Sequence, residues 1–180
     1  YPLAKKYLPY NRIISLFIYI PMLFGGGIIP FYLIVRALGL LNSVWALIIP
    51  VLVGPWNMIL MRNFFADIPG EIEESARIDG ASEYKVLFEI ILPLSLPVLA
   101  TISLFYAVGY WNEWFLALIF INDKAKWTLQ VLLREILMVG ATQELQQAAM
   151  NQKYVSPNET LKMALVVVAT LPIMCVYPFL

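Results

Sequence analysis

Four long apolar runs, separated by polar segments, dominate the hydropathy pattern of this chain. They cover approximately residues 13–35, 44–62, 90–120 and 163–180. An α-helix needs roughly 20 predominantly apolar residues to cross a bilayer, and each run is close to or above that length. The pattern predicts an all-α, polytopic transmembrane helical bundle with about four membrane spans in a single domain.

Glycine and proline interrupt the first two apolar runs. Gly25, Gly26 and Gly27 lie in the middle of the first run, and Gly54 and Pro55 lie within the second. Small residues allow helices in membranes to approach closely, so we favour close helix packing as the interpretation of the triple glycine. A break or hinge that lines a pathway is the alternative.

The polar segment at residues 63–89 is predicted to form a helix, a sharp turn and a second helix. Acidic residues follow a turn signal at its start, as the helix dipole favours. Gly80 is placed to end the first helix in the left-handed conformation, and Ser82 to cap the second. Glu73 and Arg77, four residues apart, are predicted to form a surface ion pair.

A second polar segment, residues 122–160, is predicted to be an external loop with a short amphipathic helix over 127–138. Six of the twelve Lys and Arg residues fall on each predicted side of the membrane. The positive-inside rule therefore does not decide the orientation.

Composition supports a membrane protein and excludes several kinds of site. The chain is 61% hydrophobic and 13% charged, against about 25% charged in soluble domains. It has no histidine and one cysteine, which excludes histidine-dependent catalytic sites and the usual zinc ligand sets. A net charge of zero gives no indication of nucleic acid. No catalytic, metal or cofactor site is predicted.

The polar segment carries a spaced motif over residues 74–93. It consists of Glu74-Ser75-Ala76, three residues, Gly80, nine residues and Ile90-Ile91-Leu92-Pro93. This resembles the EAA motif of permease subunits in bacterial ABC importers, and Ser75 is the one departure. The Asp79-Gly80-Ala81 core is similar to that of the carbohydrate (maltose-type) branch. In detail the chain looks most like permeases for complex oligosaccharides.

The resemblance implies a role for each motif residue. The loop at 63–89 would be a cytoplasmic coupling segment that enters a cleft of a partner ATPase. Glu74, Ser75, Ala76, Asp79, Gly80 and Ala81 would form the coupling site. We expect Ser75 and Ala76 to form a small-residue patch at that contact, beside Glu74. A solvated acidic turn between two helices is the alternative.

The resemblance also implies partners and a location. The chain has no phosphate-binding Gly-Lys-Ser/Thr loop, so ATP would be hydrolysed by a separate ABC subunit. The other expected partners are a second permease subunit, an extracytoplasmic solute-binding protein and the lipid bilayer. The expected location is the bacterial cell membrane, with several passes. Because the chain starts at Tyr1 and stops within an apolar run, we expect it to be a fragment.

A second group of residues is a candidate substrate pathway. Glu113 lies in Trp111-Asn112-Glu113-Trp114 near the end of the third run, and a carboxylate at membrane depth is a functional hypothesis by default. Glu113 and Tyr106 are seven residues apart, so we expect both on one helix face, along with Tyr110. Trp56 and Asn57 could face the same pathway. The alternative is an aromatic belt at the membrane interface, with Glu113 reaching toward water.

Three functions are compatible with these features. The first is import of a sugar or oligosaccharide as a permease subunit. The second is an ABC permease for another small solute, such as an amino acid or phosphate, which would share the coupling loop. The third is an intramembrane enzyme that uses Glu113.

Overall fold

The computed structural model describes residues 1–5, 8–149 and 158–176. All regular elements within these ranges are helical, which confirms the all-α prediction. The chain divides into two compact units. The first unit comprises Tyr1–Leu38 and Ile48–Tyr106, and the second comprises Gly39–Leu47 and Ala107–Leu180.

Many short helices, rather than a few long ones, make up the described chain. They are α1 (Asn11–Leu23), α2 (Ile28–Ala37), α3 (Trp45–Ile48), α4 (Pro55–Asp67), α5 (Gly70–Ile78), α6 (Glu83–Lys85), α7 (Leu92–Leu94), α8 (Leu96–Asn112), α9 (Phe115–Phe120), α10 (Leu129–Ala149) and α11 (Asn158–Val176). A π-helical stretch, Val86–Ile91, joins α6 to α7. Short 3₁₀ turns cover Pro2–Ala4, Ile49–Val51 and Lys124–Lys126.

No single helix within the described residues has both the length and the hydropathy of a membrane span. Two pairs of helices, each bent at a short break, have the length and hydropathy of a span when both helices of the pair are counted together. Trp45–Val51 with Pro55–Asp67 is bent by 47°, and Glu83–Leu94 with Leu96–Asn112 is bent by 76°. The first three apolar runs therefore fold as interrupted helices, the described part of the fourth lies within α11, and the four spans remain a prediction.

The first apolar run breaks at the triple glycine. The helix α1 ends at Leu23 and α2 begins at Ile28. Gly27 has a φ of +81°, a conformation that glycine adopts without steric cost. Among the described residues, no non-neighbouring atom lies within 4 Å of the Cβ position at any of the three glycines. The structure therefore shows a break here, and no helix of the described residues packs closely against the three glycines.

The third apolar run, predicted as one span, folds in several pieces. The hydroxyl of buried Ser95 donates to the carbonyl oxygen of Ile91 at 2.6 Å, a contact that tends to bend helices. Pro97 follows two residues later and lacks the N–H that a continuous helix needs. A second interruption separates Asn112 from α9, which begins at Phe115.

The hydrophobic core of the first unit includes residues of the polar segment at 63–89. Its buried centre consists of Phe65 from α4 and of Val86 and Ile91 from the π-helical stretch. Partly buried apolar side chains pack around this centre; they are Tyr1, Ala4, Met61, Phe64, Ile68, Ala76, Ala81 and Leu87. Fully burying one such large side chain contributes roughly 1.5–3 kcal/mol. The polar segment is thus anchored on an apolar base.

In the second unit, Asn42 fastens the turn before α3 to the end of α9. Its backbone N–H donates to the Phe120 carbonyl at 2.8 Å, and its side-chain oxygen accepts from the Asp123 N–H at 3.0 Å. The helix α10 is longer than the predicted 127–138, so the expected external loop is largely helical. Residues 150–157, and 177–180 of the fourth run, lie outside the described residues.

Candidate coupling site

Gly80 ends α5 in the predicted left-handed conformation, with a φ of +82°. The Ala81 N–H donates to the Ala76 carbonyl and the Gly80 N–H to the Arg77 carbonyl, both at 3.0 Å. These two bonds define the Schellman motif, which satisfies carbonyls at a helix end. The prediction for Gly80 is therefore confirmed, and the turn gives the chain a fixed change of direction.

Ala76 and Ala81 pack toward the core of the first unit. Both are half-buried against the cluster of Phe65, Val86 and Ile91. An apolar contact between these two positions commonly accompanies a Schellman motif. The expected joint patch of Ser75 and Ala76 is therefore wrong, because consecutive helical residues point about 100° apart.

The outward face of α5 consists of Glu74, Ser75 and Ile78, followed by Asp79. All four residues are exposed, and the side chain of Ile78 is 86% exposed. The Ser75 hydroxyl donates to the Ile72 carbonyl of the preceding turn at 3.0 Å. This face therefore presents a carboxylate, a small side chain and one apolar side chain together.

Glu73 is buried, although it was predicted to lie at the surface. It is 4% exposed and forms an ion pair with Lys5. The predicted partner Arg77 lies 4.0 Å from the Glu73 carboxylate and only 2.7 Å from that of Glu83. The burial of Glu73 follows from helical spacing, because Glu73 lies on the same inward face of α5 as Ala76, three residues later.

The second half of the motif begins at a side-chain cap and ends at a proline. The Ser82 hydroxyl accepts from the Lys85 N–H at 3.4 Å, as predicted for an N-cap. The π-helical stretch that follows places Val86 and Ile91 in the core. Pro93 lies just before the bend at Ser95. The motif thus runs from the exposed α5 through the elbow to the next apolar helix.

In the first unit, Gly54 brings two polar side chains together. Its N–H donates to the Tyr106 hydroxyl at 2.8 Å. A Cβ added at Gly54 would lie 3.2 Å from that hydroxyl and 3.6 Å from the Asn57 amide nitrogen. Trp56, also predicted for the pathway, is 58% exposed. Tyr106 therefore adds a hydroxyl beside Asn57, which the spacing along the sequence did not indicate.

In the second unit, the side chains of Trp111 and Asn112 each donate a hydrogen bond to a backbone carbonyl. The Trp111 indole N–H donates to the Ala169 carbonyl at 3.0 Å. The Asn112 amide donates to Val108, one turn earlier in α8, at 2.9 Å, and its side chain is exposed. Tyr110 lies in the same helix and is partly exposed. Trp111 thus links α8 to α11, while Asn112 keeps its carbonyl oxygen available.

Glu113 caps a helix instead of continuing one. It follows the end of α8, and its carboxylate accepts the Leu116 N–H of α9 at 2.8 Å. Its expected place on one helix face with Tyr106 and Tyr110 is therefore wrong, because α8 stops at Asn112. The adjacent Trp114 ring lies 3.5 Å from the Arg134 guanidinium carbon, a cation–π contact.

Comparison with known families identifies the fold. The family model described as the binding-protein-dependent transport system inner membrane component matches residues 4–180. The chain belongs to this transport family. Membership places the protein in the inner membrane, and its fold is that of a polytopic helical bundle.

Two curated relatives from Bacillus subtilis (strain 168) match this family member over its full length. Protein LplC is 49% identical, and this chain covers 61% of it. The polygalacturonan/rhamnogalacturonan transport system permease protein YtcP is 47% identical, and this chain covers 63% of it. The chain therefore spans about three fifths of these relatives.

A solved structure is also similar to this inner-membrane component. It is the crystal structure of a bacterial ABC transporter involved in the import of the acidic polysaccharide alginate. The TM-score is 0.86 and the identity 35%, and the match covers 98% of this chain and 63% of the other.

Proposed function

We propose that the full protein is the permease subunit of an ATP-driven importer, and that α5 docks onto a partner ATPase on the cytoplasmic side. The observation that carries this proposal is the outward face of α5. Glu74, Ser75 and Ile78 are exposed there on a helix whose opposite face is fixed to a core. A helix held in this way transmits a push on one face to the spans behind it.

The chemistry of this face suits a protein cleft. Buried apolar anchors contribute much of the affinity at protein interfaces, and Ile78 offers one such anchor. Glu74 can accept charge-assisted hydrogen bonds, which are roughly twice as strong as neutral ones. Gly80 and Asp79 lie at the end of the same surface, where the chain turns away. Motion of the ATPase would then rotate whole helices.

The proposed assembly has three further components. These are the ATP-hydrolysing ABC subunits, a second permease subunit, and an extracytoplasmic solute-binding protein. The family description, which specifies a binding-protein-dependent system, supports the last of these. The protein itself is a transporter subunit and not an enzyme.

We propose a sugar or oligosaccharide as the substrate, with oligosaccharides that contain uronic acids as the leading class. Support comes from the relatives, since one is named for polygalacturonan and rhamnogalacturonan and the similar structure for acidic alginate. No comparable observation favours an amino acid or phosphate. An intramembrane enzyme is disfavoured because the Glu113 carboxylate is engaged in capping α9.

The pathway residues are also proposals. In the first unit, Trp56 offers an exposed aromatic face and Asn57 a polar group beside Tyr106. In the second unit, Tyr110, Trp111, Asn112 and Glu113 form a short segment at the break between α8 and α9. Sugar rings have apolar faces and polar rims, so aromatic and amide side chains suit them.

The test is co-purification of the ATPase with permease variants, together with substrate uptake. Glu74→Lys places a repelling charge on the docking face, and Ile78→Ser removes the apolar anchor. Both should lose most of the bound ATPase and most uptake while still inserting in the membrane. Glu89→Lys is the matched control, because Glu89 is an exposed carboxylate beyond the elbow. Normal uptake by Glu74→Lys and Ile78→Ser would rule out docking through α5.

A further inference from the structure

A groove with charged residues in its wall lies in the first unit between α1 and α4, and no residue of α5 lines it. Its volume is about 610 Å³. Asn11, Arg12, Ser15, Leu16, Tyr19 and Arg62 line it. Two of these side chains are positively charged and three more carry hydrogen-bonding groups, so the groove is suited to an anion.

The positive charge of the groove is not neutralised within the described part of the chain. None of the ion pairs there includes Arg12 or Arg62. Arg62 is half-buried, and it donates hydrogen bonds to two neutral oxygens, the Leu3 carbonyl at 3.0 Å and the Tyr19 hydroxyl at 2.7 Å. A guanidinium has five N–H donors, and burying its charge without an anion is costly.

The groove is held in place by hydrogen bonds among its own residues. The Ser15 hydroxyl donates to the Asn11 side-chain oxygen at 3.1 Å. The Asn11 amide donates to the carbonyls of Leu3 and Lys5, at 3.1 and 3.0 Å. Arg62 binds the same Leu3 carbonyl. The arginine fork is therefore oriented before any ligand arrives.

The groove adjoins an apolar surface of α1. Arg12 is the second residue of that helix, and exposed apolar side chains follow at Ile13, Leu16 and Phe17, the last 73% exposed. In an inner-membrane component such side chains meet acyl chains. An arginine just before such side chains would lie at headgroup depth, where long basic side chains settle.

We propose that this groove binds the phosphate of an anionic phospholipid, with Arg12 and Arg62 supplying the positive charge. Arginine pairs bidentately with phosphate, and basic pockets between membrane helices bind lipid headgroups. Tyr19 offers its hydroxyl to the headgroup, and Leu16 contacts the first methylenes of the acyl chain. Because Arg62 and Asn11 also hold Leu3, a bound lipid braces the segment that carries Lys5.

A carboxylate could use the same two arginines, and a transported acidic sugar would supply one. The position of the groove favours the lipid, because its wall includes the exposed Leu16 and continues into Phe17. A sugar site has no need of aliphatic side chains turned outward from the helix. The lipid proposal stands independently of the proposed substrate and needs only a membrane location.

The experiment uses the full-length permease in its assembled complex. The complex is reconstituted in phosphatidylcholine nanodiscs with and without phosphatidylglycerol, and retained lipid is counted by native mass spectrometry. Wild type should retain phosphatidylglycerol. Arg12→Gln and Arg62→Gln should each weaken retention about five-fold, the effect of one basic residue at an anionic surface. Arg36→Gln, an exposed arginine outside the groove, should change nothing.

Three results would overturn the proposal. These are equal loss with Arg36→Gln, no loss with Arg12→Gln, and retained lipid that a uronic-acid oligosaccharide displaces. Arg12 makes no structural hydrogen bond among those described, so its variant should fold even if Arg62→Gln does not. Arg62→Lys keeps the charge without the fork and should give intermediate retention, which separates charge from bidentate binding.

Discussion

The ammonium group of Lys5 forms an ion pair with the carboxylate of Glu73, and both side chains are largely buried. This contact joins the start of the chain to the inward face of α5. Tyr1 adds an edge-on ring contact with Phe65 of the underlying core. The inward face of α5 is thus held by charge as well as by apolar packing.

Breaking the Lys5–Glu73 pair should destabilise the unit. Removal of one partner of a buried ion pair typically costs roughly 3–5 kcal/mol, because the other charge is left unpaired. We expect Glu73→Lys and Lys5→Glu each to lower the thermal midpoint of the purified complex. The double variant restores opposite charges and should recover much of the loss. Glu71→Gln is the control, since Glu71 is exposed in the same helix. Failure of the double variant to recover would argue against a direct pair.

Gly80→Val should impair coupling through backbone strain. A β-branched residue in the left-handed conformation at Gly80 costs about 1–2 kcal/mol, and the Schellman bonds to Ala76 and Arg77 would be distorted. Uptake by the assembled importer should fall. Gly80→Asn is the matched variant, because asparagine tolerates this conformation better, and it should keep most activity. Equal uptake by both variants would show that the elbow does not depend on the left-handed turn.

Glu113 variants separate the capping contact from contact with sugar. Glu113→Gln keeps an oxygen that can accept the Leu116 N–H, whereas Glu113→Leu removes it at a cost of about 1 kcal/mol. We expect partial loss of uptake with Gln and severe loss with Leu. Thermal unfolding of the same samples tests the hydrogen bond to the Leu116 N–H, since only Glu113→Leu should lower the midpoint temperature. If both variants transport at the wild-type rate, the pathway role of Glu113 is excluded.

Tyr106→Phe should destabilise the first unit by about 1 kcal/mol, because the Gly54 N–H loses its acceptor. Thermal unfolding of the purified complex measures the effect. Tyr84→Phe serves as the control, since Tyr84 is exposed in the polar segment at 63–89. Gly54→Ala should produce a related loss, because its Cβ would lie 3.2 Å from the Tyr106 hydroxyl. No change in the midpoint with Tyr106→Phe or with Gly54→Ala would mean that this contact contributes little to stability.

Local sequence signals predicted the helix–turn–helix of the polar segment at 63–89 correctly. Gly80 and Ser82 act within a few residues, where backbone conformation and capping follow from residue type. The break between α4 and α5 after Asp67 was equally local, as was the expectation of helices throughout. Elements of this kind depend on near neighbours in the chain, so the sequence contains the information.

The burial of Glu73 was not predicted, the break at the triple glycine was only the alternative interpretation, and the third run was predicted as one span. The partner of Glu73 is Lys5, far away in sequence, and the ion pair exists only in the folded unit. Hydropathy measured over a run does not distinguish a straight helix from two pieces joined at Ser95. Glu113 was misplaced for the same reason, because nothing in Trp111–Trp114 marks the end of α8. Tertiary contacts decide these features.

The hydroxyl of Ser75 is satisfied by its own helix, through the Ile72 carbonyl. The motif therefore tolerates a hydroxyl or a methyl group at this position without a change in shape or in the number of unpaired polar atoms. The next position differs, because a serine in place of Ala76 would carry its hydroxyl into the apolar cluster. The two positions are therefore not equivalent. Position 75 accepts alanine or serine, whereas the packing at position 76 favours alanine.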